Sequence, residues 1–217
     1  MLGAAFLSLM IYNLYGKRCP LPLFTDIVQA VGWCALVLFG AFVFAPRAEA
    51  NTMWLLAYVF VYILLINGIH GGVRDLANDL AHHARTTAIW LGARPQAHGF
   101  GAELTLRLTA YGFFLQGAMV AFAVLGLDSL DYNHRDYWLA AVPVFAGLTV
   151  STLMLLLRLR DRRQLVALGA SHTFISLAVL PALYIPMLNL AAVVTVLAVF
   201  SLPTIAMYLY KSSRRCL

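Results

Sequence analysis

The stretch Arg74-Asp75-Leu76-Ala77-Asn78-Asp79-Leu80-Ala81-His82-His83-Ala84-Arg85-Thr86-Thr87 is a polar island in a chain that is otherwise almost continuous apolar sequence of membrane-spanning length. At roughly 100° per residue along a helix, Asp75, Asn78, Asp79, His82 and Thr86 share one face, while Leu76, Ala77, Leu80 and Ala84 share the other. The pattern predicts an amphipathic helix over 74–86 lying at the membrane interface. Two carboxylates at i and i+4 on one helical face can hold a divalent cation between them, directly or through water. Acids and bases gathered at the end of a span call for a polar partner, and a metal-bound phosphate is the obvious candidate.

Outward from the island, the composition sets the class. Of 217 residues, 62% are hydrophobic and only 11% charged, and the mean hydropathy is +0.83. These values exclude an ordinary soluble domain and predict an integral membrane protein. The apolar stretches have the length of helices of about 20 residues, not of the alternating strands of about 10 that build an outer-membrane barrel. Charges and turn residues divide them into segments at about 1–15, 23–45, 53–72, 104–127, 137–157, 165–185 and 188–210. The expected fold is therefore all-α: a polytopic transmembrane helical bundle of about seven spans with an interfacial cytoplasmic helix. It forms one domain over 1–217. Cys19, Cys34 and Cys216 have no metal-type spacing and read as small buried hydrophobes.

The basic residues set the orientation. With the loops near 16–22, 73–107 and 158–164 and the tail from 211 on one side, that side carries thirteen of the fifteen Lys and Arg residues, and the other keeps only Arg47 and Arg135. By the positive-inside rule the island faces the cytoplasm. Arg158, Arg160, Arg162 and Arg163 read as topology determinants, and the net charge of +6 reflects topology and attraction to anionic lipid, not nucleic-acid binding. A bacterial cytoplasmic membrane is the expected location. His172 is read as the only ionisable group of the apolar interior, hydrogen-bonded to a neighbouring helix. His70, between Gly68 and Gly71-Gly72, lies near the mouth of the expected site.

The island and its surroundings resemble the UbiA superfamily of intramembrane prenyltransferases. Asp75-Leu76-Ala77-Asn78-Asp79-Leu80-Ala81-His82-His83 is similar to that family's second Asp-rich motif, with His83 at a third position where Asp or Gly is frequent. Arg85-Thr86-Thr87-Ala88-Ile89 and then Leu91-Gly92 look like its usual continuation. Tyr12-Asn13-Leu14-Tyr15-Gly16-Lys17-Arg18 is similar to its Tyr-containing segment ending in Lys-Arg. The resemblance spans most of the chain and is most specific over residues 67–92.

The resemblance implies a transferase that moves an isoprenyl group from a magnesium-bound isoprenyl diphosphate to an aromatic or lipid-like hydrophobic acceptor within the membrane. Asp75 and Asp79 would be catalytic and would hold Mg²⁺, with Asn78 and His82 supporting them. Lys17, Arg18, Arg74 and Arg85 would clamp the phosphates, since their charge-assisted bonds suit a diphosphate. The family's first Asp-rich motif precedes the Tyr–Lys segment, and the apolar segment at 1–15, short for a span, is expected to be a helix whose natural start is missing. On that expectation the N-terminal helices and the first motif are absent, and isoprenyl transfer by residues 1–217 is weak or nil. A catalytically silent or partial family member that binds lipid or a partner is the alternative. A small transporter is less favoured, because transporters keep such acids near mid-membrane, whereas here they lie past the end of a span.

Overall fold

The computed structural model describes residues 1–44, 47, 49–95, 102–130, 135–158, 162–187, 189–195 and 198. In lipid every backbone N–H and C=O of a spanning segment must be satisfied within the chain, so long apolar stretches fold as helices. The described residues accordingly form α1 (Leu2–Tyr15), α2 (Pro22–Phe44), α3 (Ala50–Leu65), α4 (Gly72–Arg74), α5 (Leu76–Ala81), α6 (Thr87–Trp90), α7 (Leu106–Asp128), α8 (Arg135–Arg158) and α9 (Arg162–Tyr184). A small antiparallel ribbon pairs β1 (Arg94–Pro95) with β2 (Ala102–Glu103).

Among the described residues, five helical stretches are long and apolar enough to cross a membrane: Pro22–Val43, Ala50–Arg74, Leu106–Asp128, Arg135–Leu155 and Ala167–Tyr184. The chain is an integral membrane protein with an all-α bundle, and these stretches match the expected segments from 23–45 through 165–185. The segment expected at 1–15 forms α1, whose 14 residues reach only about 21 Å at 1.5 Å per residue, short of a hydrocarbon core of about 30 Å. The seventh expected segment, 188–210, lies outside the described residues except for 189–195 and 198. Arg160, Lys211, Arg214, Arg215 and Cys216 also lie outside them.

Neighbours in the chain pack in succession: α1 on α2, α2 on α3, α3 on α7, α7 on α8 and α8 on α9. The most buried part is the seam between α3 and α7, where Leu65, Ile69, Leu108, Leu115 and Met119 are almost inaccessible. Large side chains such as Phe6, Phe24, Phe114 and Val144 point outward, as lipid-facing surfaces allow. Because lipid is as apolar as the core, helix association depends on close packing and on interhelical hydrogen bonds. Tyr58 and Tyr62 supply two of these, donating their hydroxyls to the Ser176 and Thr173 carbonyls of α9. Cys19 and Cys34 are free thiols, and Cys34 Sγ lies 3.4 Å from the Leu56 carbonyl.

The end of the third span shapes the site. After Leu65 the helix widens into a π-helical turn, Ile66–Gly71, before α4; such turns are frequent at functional sites. Two glycines permit close approach here. A Cβ on Gly68 would lie 2.8 Å from the Tyr111 ring, and one on Gly72 would lie 2.7 Å from Ala88 Cβ. The helix predicted over 74–86 is in fact broken at both ends. Asp75 leaves helical geometry at φ −98°, ψ 4°, and α5 stops at Ala81. The stop is a Schellman motif: His83 adopts the left-handed conformation (φ 53°), His83 N–H donates to Leu80 O, and Ala84 N–H donates to Asp79 O at 2.7 Å. Glycine is the usual residue at that position. A histidine there gives no local warning of the stop, so the periodicity runs past it.

Candidate functional site

The loop between α1 and α2 is pinned before it meets the island. Thr25 Oγ1 donates to the Pro22 carbonyl at 2.8 Å, with the Gly16 carbonyl 3.1 Å away. The returning strand of the island then ties to this loop through Arg85 N–H, which donates to the Lys17 carbonyl at 2.9 Å. That backbone bond sets Lys17 beside α5, and Lys17 Nζ lies 2.6 Å from Asp79 Oδ1. The pair is unequal. Asp79's side chain is 3% exposed, and that of Lys17 is 57% exposed. Asp79 is thus a buried carboxylate whose counter-charge arrives from solvent 62 residues away in sequence.

Asp75 has a different partner. Arg74 presents its guanidinium fork, with Nε 2.9 Å from Oδ1 and Nη2 2.7 Å from Oδ2. Each carboxylate expected to ligate a metal therefore carries a cation. His82 turns back on its own helix, its Nδ1 2.9 Å from the Asn78 carbonyl.

Two adjoining spaces collect the predicted residues. An open pocket of about 630 Å³ is lined by Lys17, Arg18, Asn78, Asp79, His82 and Arg85, among others. A larger cavity of about 1060 Å³ runs inward from it, sharing Lys17, Asp79 and Arg85 and adding Arg74 and Asp75. Its lining also includes the apolar side chains of Ile69, Phe174, Ile175 and Leu177. All seven predicted site residues line one space or both. The arrangement offers cations at a mouth, carboxylates beside them and an apolar interior behind.

The interior is not as apolar as expected, and Asp26 is the residue that sequence reasoning overlooked. It sits in α2, is only 7% exposed and lines the large cavity together with Tyr12 and Asn67. Thr87 Oγ1 donates to its carboxylate, and nearby Asn67 donates to Gln29 Oε1. The available signal was an acid four residues into an apolar segment, which in a membrane protein is a site candidate by default.

His172 is fully buried and is hydrogen-bonded to its neighbours, as expected. His70 is a second histidine of the interior. Its Nε2 lies 2.8 Å from His172 Nδ1, and its Nδ1 is 2.5 Å from Thr173 Oγ1. His172 Nε2 in turn lies 3.1 Å from Gln116 Oε1. With Gln116 presenting its carbonyl oxygen, His172 Nε2 carries the hydrogen, so His70 Nε2–H donates to His172 Nδ1. The chain links the π-helical turn, α7 and α9, the interhelical use of polar groups that a membrane interior favours.

Among the described residues no group of three or more His, Cys, Asp or Glu is arranged to hold a metal ion. Mg²⁺, however, is commonly bound by one or two carboxylates with the remaining positions taken by water and substrate phosphate. Asp75 and Asp79 fit that mode, as hard oxygen donors whose present partners, Lys17 and Arg74, are themselves phosphate-binding groups. They do not fit a cage made of protein alone. No family model, curated protein or solved structure matches the chain.

Proposed function

We propose that the protein is a UbiA-like intramembrane transferase, acting on an isoprenyl diphosphate and a hydrophobic acceptor at the cytoplasmic ends of its spans. The observation that carries this reading is the meeting of Lys17 with Asp79 on the wall of a cavity that also holds Arg74, Asp75 and Arg85. A diphosphate needs cations and metal-binding oxygens within the span of one small anion. Here they converge from two separate segments at the mouth of an apolar space, which suits a ligand with a charged head and a hydrocarbon tail.

In this reading Lys17, Arg18, Arg74 and Arg85 bind the phosphate oxygens by charge-assisted hydrogen bonds. Asp75 and Asp79 would hold Mg²⁺, which when bound supplies charge neutralisation for the departing diphosphate. The apolar wall formed by Ile69, Phe174, Ile175 and Leu177 takes the isoprenyl chain. Lys17 and Arg74 exchange their carboxylate partners for phosphate when the ligand enters. A silent member that binds lipid or a partner is the second reading. It is favoured by the same pairs, since both carboxylates are already neutralised by Lys17 and Arg74.

The test is Mg²⁺-dependent pyrophosphate release by the full chain in nanodiscs, with an isoprenyl diphosphate and a panel of aromatic acceptors. The transferase reading expects release, weak in residues 1–217 as the resemblance implies, that Asp75→Ala and Asp79→Ala each abolish. Full activity of Asp79→Ala refutes the site. Binding of the isoprenyl diphosphate without any release selects the silent reading.

A further inference from the structure

Asp26 has no part in the diphosphate clamp, yet it lines the same cavity. A buried acid within a span is expensive, and its bond from Thr87 alone does not explain it. The carbonyl oxygen of an asparagine would serve Thr87 as well, without the charge. An ionised carboxylate offers about four lone-pair positions, and Thr87 takes one of them. The interior thus presents an acceptor oxygen with spare capacity on the wall of the cavity. A hydroxyl group on a ligand complements it by giving its hydrogen.

The charges lining the cavity differ in sign. Lys17, Arg74 and Arg85 suit an anion, whereas the Asp26 carboxylate repels one and suits a neutral protic group. We infer that Asp26 is the acceptor-side residue of the cavity, receiving the hydrogen bond, and then the proton, of a hydroxyl group on the molecule to be alkylated. The inference rests on the transferase reading for its second half. In the step, the allylic C–O bond breaks and its electron pair leaves with the diphosphate. The acceptor oxygen forms the new bond to that carbon, and the O–H proton passes to the Asp26 carboxylate, one proton for each diphosphate released. The acceptor class is accordingly an alcohol or a phenol, and an ether or pure hydrocarbon of the same shape is excluded.

The experiment uses the full chain in nanodiscs, with empty nanodiscs subtracted. Binding of 4-methylphenol is compared with that of its methyl ether, 4-methylanisole, and farnesyl S-thiolodiphosphate is titrated separately as a donor analogue that does not ionise. A hydrogen bond to a charged group predicts a phenol preference of roughly tenfold or more in the unaltered protein. Asp26→Asn is expected to reduce that preference to about twofold while leaving thiolodiphosphate affinity within about threefold, because the donor clamp is made by Lys17, Arg18, Arg74 and Arg85. Absence of the preference in the unaltered protein overturns the inference without recourse to any variant. So does its survival in Asp26→Asn. If the preference depends on Asp26 but the thiolodiphosphate does not bind, the transferase reading fails while the hydroxyl site stands.

Discussion

Removing Lys17 is expected to cost more than removing its partner, and the structure sets the scale. Breaking a fully buried ion pair costs about 3–5 kcal/mol, because the remaining charge is stranded, while exposed pairs are worth about 0.2–1 kcal/mol. Asp79 belongs to the first class at 3% exposure and Lys17 to the second at 57%. Lys17→Met strands the buried carboxylate and should cost about 2 kcal/mol, discounted because solvent reaches the lysine end. Asp79→Asn leaves an ammonium that swings into water, and should cost about 1 kcal/mol. For a chain of this length these are losses of about 4–8 °C and 2–4 °C in thermal midpoint, measurable in detergent micelles by circular dichroism. The double variant should be less destabilised than the sum by about 1 kcal/mol, since removing both charges strands neither. Equal single effects that add in the double variant would refute the argument that burial of Asp79 makes the pair unequal.

Three further outcomes follow from the packing. Gly72→Ala puts a Cβ 2.7 Å from Ala88 Cβ, so α6 must move, and a stability loss of about 1–3 kcal/mol in the same melting assay is expected; an unchanged midpoint would show that the contact is not tight. His83→Gly relieves a left-handed residue at φ 53° and should raise stability by about 1 kcal/mol, whereas a loss would mean that the imidazole makes contacts outweighing its backbone cost. His172→Leu removes the partner of both His70 Nε2 and Gln116 Oε1 and should cost about 2 kcal/mol, with Gln116→Leu in the same background recovering part of it; no recovery would argue against a stranded amide.

What was readable from residues alone depended on how local the governing physics is. Hydropathy along 23–45 or 104–127 identifies a span without knowledge of any neighbour, because lipid forces each such segment to satisfy its own backbone. The island was visible for the same reason, as the polar interruption of such a run. Its internal geometry was not. The 100° periodicity continues smoothly through 74–86, and nothing in Asp75 or His83 announces the two breaks that leave only Leu76–Ala81 as helix. A glycine at 83 would have signalled the stop; the histidine there reaches the same conformation at a cost that the surrounding hydrogen bonds offset. Asp26 was legible and missed, since one acid barely lowers the mean hydropathy of α2, and segment averages hide it.

By itself the amino-acid sequence determined that this is a membrane protein, where most of its spans run, and which polar residues stand at their ends. Those properties follow from transfer free energies and charge asymmetry, which accumulate residue by residue. Only the tertiary structure decided which of those residues meet. Lys17 reaches Asp79 because Arg85 N–H holds the Lys17 carbonyl, and His70 meets His172 because α9 packs against the end of α3. Asp26 faces Thr87 because α2 packs against α6. Each contact joins groups far apart in the chain, and its geometry is set by packing between helices, which no local pattern encodes.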